Sequence, residues 1–317
     1  MTEQFAHLIQ IPLTDVGIRP FRGQEWFKKR IEIFKKYTLN SLLNQTNKNF
    51  SLWITMRSEE ADNPLVKELE DYLKEKGFTA FMSFDGLMYV DDKFVGGAKE
   101  KLMNLARVVR MAYLQDNPYS VQTLFQFLKM LLTRKPPLRF GWNKALKELF
   151  RDKNKTLRNR LNNTLGDIKE TLKDKDYNWV YVSRIDSDDM FSKDFVAEVQ
   201  SYRPFPGALT CRNGYVYNSL TDQLAYWKPK TNPPFHTIIF PKEEFLDANR
   251  YLQYFKSFRS HEDVPKCFHC QNLKDNGYCV LIHQNHISSL YNHPFKGEEI
   301  VDKEEKKSIL DKFGLSS

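Results

Sequence analysis

Short apolar runs alternate with helical patterns along the N-terminal part of this chain, and that alternation limits the folds open to it more than any other feature. Residues 7–13 (HLIQIPL) form one run, and the loop VGIRPFRG, punctuated by Gly and Pro, separates it from a helical pattern carrying Trp26, Ile31, Phe34, Leu39 and Leu42. The theme then repeats. Residues 50–55 (FSLWIT) read as a strand, Asn63-Pro64 opens a helix whose apolar face is Leu65, Leu69, Tyr72 and Leu73, Gly77 ends it, and a third apolar run, 78–84, follows. Strands alternating with helices at this spacing predict right-handed crossovers and a mostly parallel sheet covered on both faces. Further strands are expected at 179–185 (WVYVSRI), 207–217, 223–228, 235–240 and 278–283.

The 317 residues are enough for a core that needs no covalent staples. Cys211, Cys267, Cys270 and Cys279 are too few and too clustered to cross-link such a chain, so they are expected to be reduced thiols. Cys267-x-x-Cys270 with Cys279 and His283 has the ligand types of a structural zinc site, although only one Cys-x-x-Cys is present. No run approaches the length of a membrane-spanning helix, and residues 1–13 have no signal-peptide pattern, so a cytoplasmic protein is expected.

The net charge of +8 is a mild bias when 28% of residues are charged. It gathers between about Gly97 and Lys175, where hydrophobic repeats such as VQTLFQFLKMLL mix with Lys and Arg. One reading of this basic segment is an amphipathic helix pair with a solvated face. The other is peripheral docking on an anionic membrane at its inner surface, with Trp142 and Phe140 entering the interface beside Lys135, Arg139 and Lys144. No nucleic-acid signature accompanies the charge, and no nucleic-acid partner is expected.

The strongest chemical signal is Arg184-Ile185-Asp186-Ser187-Asp188-Asp189, where an apolar strand runs out. Ligands of open α/β sheets bind beyond the carboxyl ends of strands, and Mg²⁺ or Mn²⁺ takes one or two carboxylates plus phosphate oxygens, which Asp-x-Asp at a strand end can provide. The plainer alternative is an acidic turn capping a helix that starts at Ser192.

Several segments resemble family-2 glycosyltransferases of the GT-A fold. SLLNQTNKNF (41–50) is similar to their first helix-to-strand junction and LARVVRMA (105–112) to their central helix. VSRIDSDDMF stands where they carry the Asp-x-Asp strand, and His261-Glu262-Asp263-Val264 resembles their later Glu-Asp pair. Arg19 to Phe21, then Trp26, Arg30 and Phe34, the SLLNQT junction, Arg-x-Asp-x-Asp-Asp and HQNHISS together are similar to the rhamnosyltransferase group.

The resemblance implies a GT-A (nucleotide-diphospho-sugar transferase) fold, a Rossmann-like mixed α/β sheet, as one domain over 1–317 with a basic helical insertion at 116–175. It implies a metal-dependent, inverting glycosyltransferase that moves a sugar from a nucleotide-activated donor to a glycan or glycolipid acceptor, with rhamnose as one candidate sugar. Asp186, Asp188 and His283, preferred over His286, would hold Mn²⁺ or Mg²⁺; Arg19, Arg184 and Asp186 would contact the donor; Asp263, with Glu262 as alternative, would be the catalytic base. Read without the resemblance, Glu262 and Asp263 are an acidic helix start, and the rival for the whole chain is a noncatalytic GT-A-like scaffold that binds membrane or nucleic acid through its basic segment.

Overall fold

A computed structural model describes residues 4–14, 23–56, 60–84, 153–255, 261–274, 276–284 and 297–315. Arg19, His286 and residues 135–144 of the basic segment lie outside these, as does the central-helix resemblance at 105–112.

The expected alternation is present. Strand β1 (Phe5–Pro12) leads to α1 (Gln24–Ile33), a π-helical stretch (Phe34–Leu39) and α2 (Asn40–Leu43). Phe34 and Leu39 are both fully buried although five residues apart, a step longer than one α-turn, and the wider π stretch between them keeps both on the core side. Strand β2 (Ser51–Thr55) is followed by α3 (Pro64–Glu75) and β3 (Ala80–Ser83). The start of α3 is fixed locally, because Asn63 accepts a hydrogen bond from the Leu65 amide at 3.1 Å and Pro64 takes the first turn, where a missing N–H costs nothing. Its stop is Gly77 at φ 76°, and Val66, Leu69 and Leu73 are buried between.

Helix α4 (Lys153–Thr171) precedes β4 (Trp179–Arg184), β5 (Met190–Phe191), α5 (Phe195–Ser201), β6 (Gly207–Thr210), β7 (Gly214–Asn218), β8 (Gln223–Trp227) and β9 (His236–Pro241). The chain continues through α6 (Lys242–Phe245), α7 (Ala248–Tyr254), a 3₁₀ turn at His261–Asp263, α8 (Val264–Cys267), β10 (Cys270–Asn272), β11 (Tyr278–Ile282), β12 (Glu298–Glu299) and α9 (Lys303–Lys312). The helix expected from Ser192 begins instead at Phe195 after the two-residue β5, and it has no side-chain cap. The acidic residues 186–189 therefore cap no helix, which removes the plainer reading of that motif.

Seven strands form the main sheet in the order β3-β2-β1-β4-β9-β6-β10, parallel throughout except β9, which runs antiparallel to both neighbours. A second sheet has the order β12-β8-β7-β11-β5. Alternation along the main strands sends odd-numbered residues such as Ile9, Ile11, Tyr181, Leu209 and Ile239 to one face, where they share a core with Phe191, Val216 and Tyr278 of the second sheet. Even-numbered residues Ala6, Leu8, Val180, Val182, Ala208 and Ile238 go to the other face, with Trp53, under α4, α7 and α8.

Candidate active site

The turn after β4 is built so that each polar residue leaves in its own direction. The Asp189 amide bonds back to the Asp186 carbonyl at 3.1 Å and closes it. Ser187 Oγ donates to the Pro12 carbonyl at 2.8 Å, tying the turn to the end of β1. Asp186 Oδ1 accepts from Arg184 at 2.6 Å, and Arg184 also donates to the Pro234 carbonyl at 3.2 Å. Asp189 Oδ1 accepts the Leu281 amide of β11 at 3.0 Å and so joins the two sheets.

Asp188 is the most heavily engaged. Its Oδ2 accepts from Arg30 of α1 at 2.7 Å and lies 3.0 Å from His283 Nε2, just beyond β11. Arg30, only 2% exposed, also donates to Ser187 Oγ at 2.7 Å, so one guanidinium clasps two consecutive residues of the turn. Burial pushes the carboxyl of Asp186 up, and that of Asp189 well up, with mutual repulsion among the three aspartates adding to both. Burial in this turn thus disfavours the charged form of both carboxyls, and Arg30 and Arg184 offset it in part.

Asp188 and His283 are thereby brought together, whereas Asp186 is turned toward Arg184. Among the described residues no three His, Cys, Asp or Glu side chains converge as a ready-made metal cage. One carboxylate oxygen beside one imidazole nitrogen, in a desolvated acidic turn, still fits a divalent cation of the kind whose shell is completed by substrate phosphates. The zinc quartet is not assembled: Cys267 and Cys270 pack under the even-numbered face, Cys279 is buried in the core of the second sheet, and all are free thiols.

A second group of polar residues lies on the even-numbered face at the same end of the sheet. Register places Gln10 opposite Arg184, Arg184 opposite His236, His236 opposite Thr210 and Thr210 opposite Asn272, a polar row across five strands. Trp53, opposite Gln10, continues it on the apolar side. Gln10, Arg184, His236 and Thr210 are all buried. The His261–Asp263 turn comes down beside this row, held by Asn232, which donates to the His261 carbonyl at 2.9 Å. Burial, and after it the positive charge of Arg184, lowers the His261 pKa to about 4, and the same two causes hold His236 well below the usual histidine range. Asp263 is half-buried and accepts from Lys266 at 2.8 Å; Glu262 is exposed. Two candidate sites read separately from the sequence, the Arg184–Asp188 strand end and the Glu262–Asp263 turn, thus meet the same loop, where Arg184 donates to the Pro234 carbonyl and Asn232 to the His261 carbonyl.

Sequence reasoning missed the clasp by Arg30 and the presence of His236. Arg30 was visible only as one residue of the rhamnosyltransferase resemblance. His236 carries no local signal, since its place opposite Arg184 depends on an antiparallel pairing between segments about fifty residues apart.

The main sheet is mixed, with one antiparallel strand inserted beside the strand that carries the acidic turn, as expected for the Rossmann-like mixed α/β sheet. Residues 20–82, spanning α1 to β3, match the model of a family described as "Putative rhamnosyl transferase". No curated protein matches the chain. Two solved structures of S. aureus TarS 1-349, one of them in complex with UDP, align with it at a TM-score of 0.36 and 10% identity, covering 87% of this chain and 60% of theirs. The chain therefore spans less than two thirds of the solved chains it matches.

Proposed function

We propose that this chain is a glycosyltransferase that uses a nucleotide-activated sugar, with an inverting, metal-dependent mechanism. The observation that carries the reading is that, at one end of a GT-A-like sheet, the turn bearing the Asp188–His283 pair and the His261–Asp263 turn reach the same loop, through the Arg184–Pro234 and Asn232–His261 hydrogen bonds. The family match over residues 20–82 supports a sugar donor and makes rhamnose the first sugar to try.

Asp188 and His283 would hold Mn²⁺ or Mg²⁺, which neutralises charge on the departing diphosphate. Arg30 holds Asp188 in place by a hydrogen bond, and Arg184 holds Asp186. Asp263, more enclosed than Glu262 and hydrogen-bonded by Lys266, takes the proton of the acceptor hydroxyl. As that proton leaves, the hydroxyl oxygen bonds to the anomeric carbon from the side opposite the diphosphate, whose bond breaks with its electron pair, and the configuration inverts. A glycan or glycolipid provides the hydroxyl. The even-numbered face, desolvated around Arg184 and His236, keeps water from competing with it.

The test is release of nucleoside diphosphate from a panel of sugar nucleotides with Mn²⁺, with and without glycan acceptors. Asp263→Asn keeps the shape of the side chain and loses the base, so turnover should fall about 10²- to 10⁴-fold with donor affinity and melting temperature unchanged. A large loss in Glu262→Gln instead would move the base by one residue, and equal turnover in both variants would reduce the turn to an acidic helix start.

A further inference from the structure

His236 begins β9 with its side chain on the even-numbered face, between Arg184 on one side and Thr210 on the other. It is 2% exposed, and among the described residues its Nδ1 has no hydrogen-bond partner. A buried imidazole nitrogen without a partner lowers stability relative to an apolar side chain of the same size, so its presence calls for a reason other than folding. The Trp53 indole N–H, in the same row, and the Thr55 hydroxyl of the same strand are also buried without partners. Trp53 and Thr55 are on β2, three strands from β9, so of these atoms it is His236 Nδ1 that stands beside Arg184.

The charge around His236 states what kind of ligand. Arg184 is already balanced by Asp186 at 2.6 Å and bonded to the Pro234 carbonyl, while Gln10 and Thr210 are neutral. Burial and the nearby Arg184 keep both His236 and His261 uncharged at neutral pH. Such surroundings have little to offer a phosphate and much to offer a hydroxyl, which can donate to or accept from an imidazole in either tautomer. The Asp186 side chain is 29% exposed, and His236 stands opposite Arg184, which donates to Asp186 on one side and to the Pro234 carbonyl on the other. That is where the sugar must sit if its diphosphate lies at the acidic turn and its acceptor is deprotonated at Asp263.

We propose that His236 reads a hydroxyl of the donor sugar through Nδ1, making it a specificity-determining residue of the transferase site. The assignment rests on the donor reading above. It differs from that reading in predicting a contact to the sugar and none to the nucleotide.

Calorimetric titrations would use UDP-glucose, UDP-N-acetylglucosamine, GDP-mannose and dTDP-rhamnose, each against its own nucleoside diphosphate, with Mn²⁺ present. In His236→Leu, affinity for the sugar nucleotide that binds the parent best should fall about tenfold or more, the equivalent of about 1.4 kcal/mol, with the matching diphosphate within twofold. The melting temperature should stay at or above that of the parent, because an unmet polar atom has been removed. His236→Asn, whose amide reaches the position of Nδ1, should recover part of the lost affinity. Unchanged sugar-nucleotide affinity in His236→Leu, an equal loss for the diphosphate, or a lowered melting temperature in both variants would each overturn the assignment. A parent protein that binds none of the sugar nucleotides or diphosphates would instead overturn the transferase reading beneath it.

Discussion

Two buried histidines lie on opposite faces of the same sheet, and they are not alike. On the odd-numbered face, Gln200 Nε2 donates to His7 Nδ1 at 3.0 Å, so His7 Nε2 carries the proton and meets Ser183 Oγ at 2.7 Å, which in turn meets Thr237 Oγ1 at 2.6 Å. That network is complete. On the even-numbered face, His236 has an unmet Nδ1 beside a charge-balanced arginine. Both imidazoles are desolvated and neutral, so burial alone does not separate a structural histidine from one reserved for a ligand; the count of satisfied nitrogens does. The Arg30 clasp on Ser187 and Asp188 meets this criterion only in part, since NH1 and NH2 are paired while Nε is buried without a partner among the described residues.

The comparison can be broken at three points. Arg30→Met should have the largest effect on stability, about 3 to 5 kcal/mol, because it leaves the Asp188 carboxylate buried without its guanidinium. Urea unfolding measures it, and a loss below 1 kcal/mol would show that His283 alone suffices to hold Asp188. His7→Leu should cost about 1 to 3 kcal/mol, since it removes partners from Ser183 and Gln200, in contrast to the neutral or stabilising His236→Leu.

The smallest effect is in pH dependence. His7 has a folded pKa of about 3, lowered chiefly by burial and then by Lys175, against 6.5 when unfolded. Between those values the unfolded chain binds the proton and the folded chain does not, so the contribution of His7 is complete above pH 6.5 and is lost as pH falls, at up to about 1.4 kcal/mol per unit. Urea midpoints from pH 7 to pH 5 should therefore fall less steeply in His7→Leu than in the parent. Parallel slopes would mean that His7 takes up a proton within the native network.

Much of this fold is legible in the sequence because its signals are local. HLIQIPL, FSLWIT and WVYVSRI are apolar runs of strand length, and Asn63-Pro64 with Gly77 marks both ends of α3 through cap chemistry that needs no tertiary context. The strands that escaped notice, β5, β10 and β12, are two or three residues long and exist only by pairing with longer neighbours. The site divides in the same way. Asp186 and Asp188 are marked by their position after an apolar strand, and Asp263 by a resemblance. The joining of Asp188 to Arg30, 158 residues away, and of Arg184 to His236 follows from sheet order and helix packing, which no local window contains.

The most direct measurement of whether the acidic strand end binds a donor is calorimetric titration of the protein with UDP, GDP and dTDP, each in the presence and absence of Mn²⁺. The parent should bind at least one of them more tightly with the cation. Asp188→Ala should lose that cation-dependent gain while retaining the weaker cation-independent binding, because one of the two donors of the Asp188–His283 pair is gone. Equal Mn²⁺-dependent affinity in parent and variant would contradict the account, leaving Asp188 as the structural partner of Arg30 and nothing more.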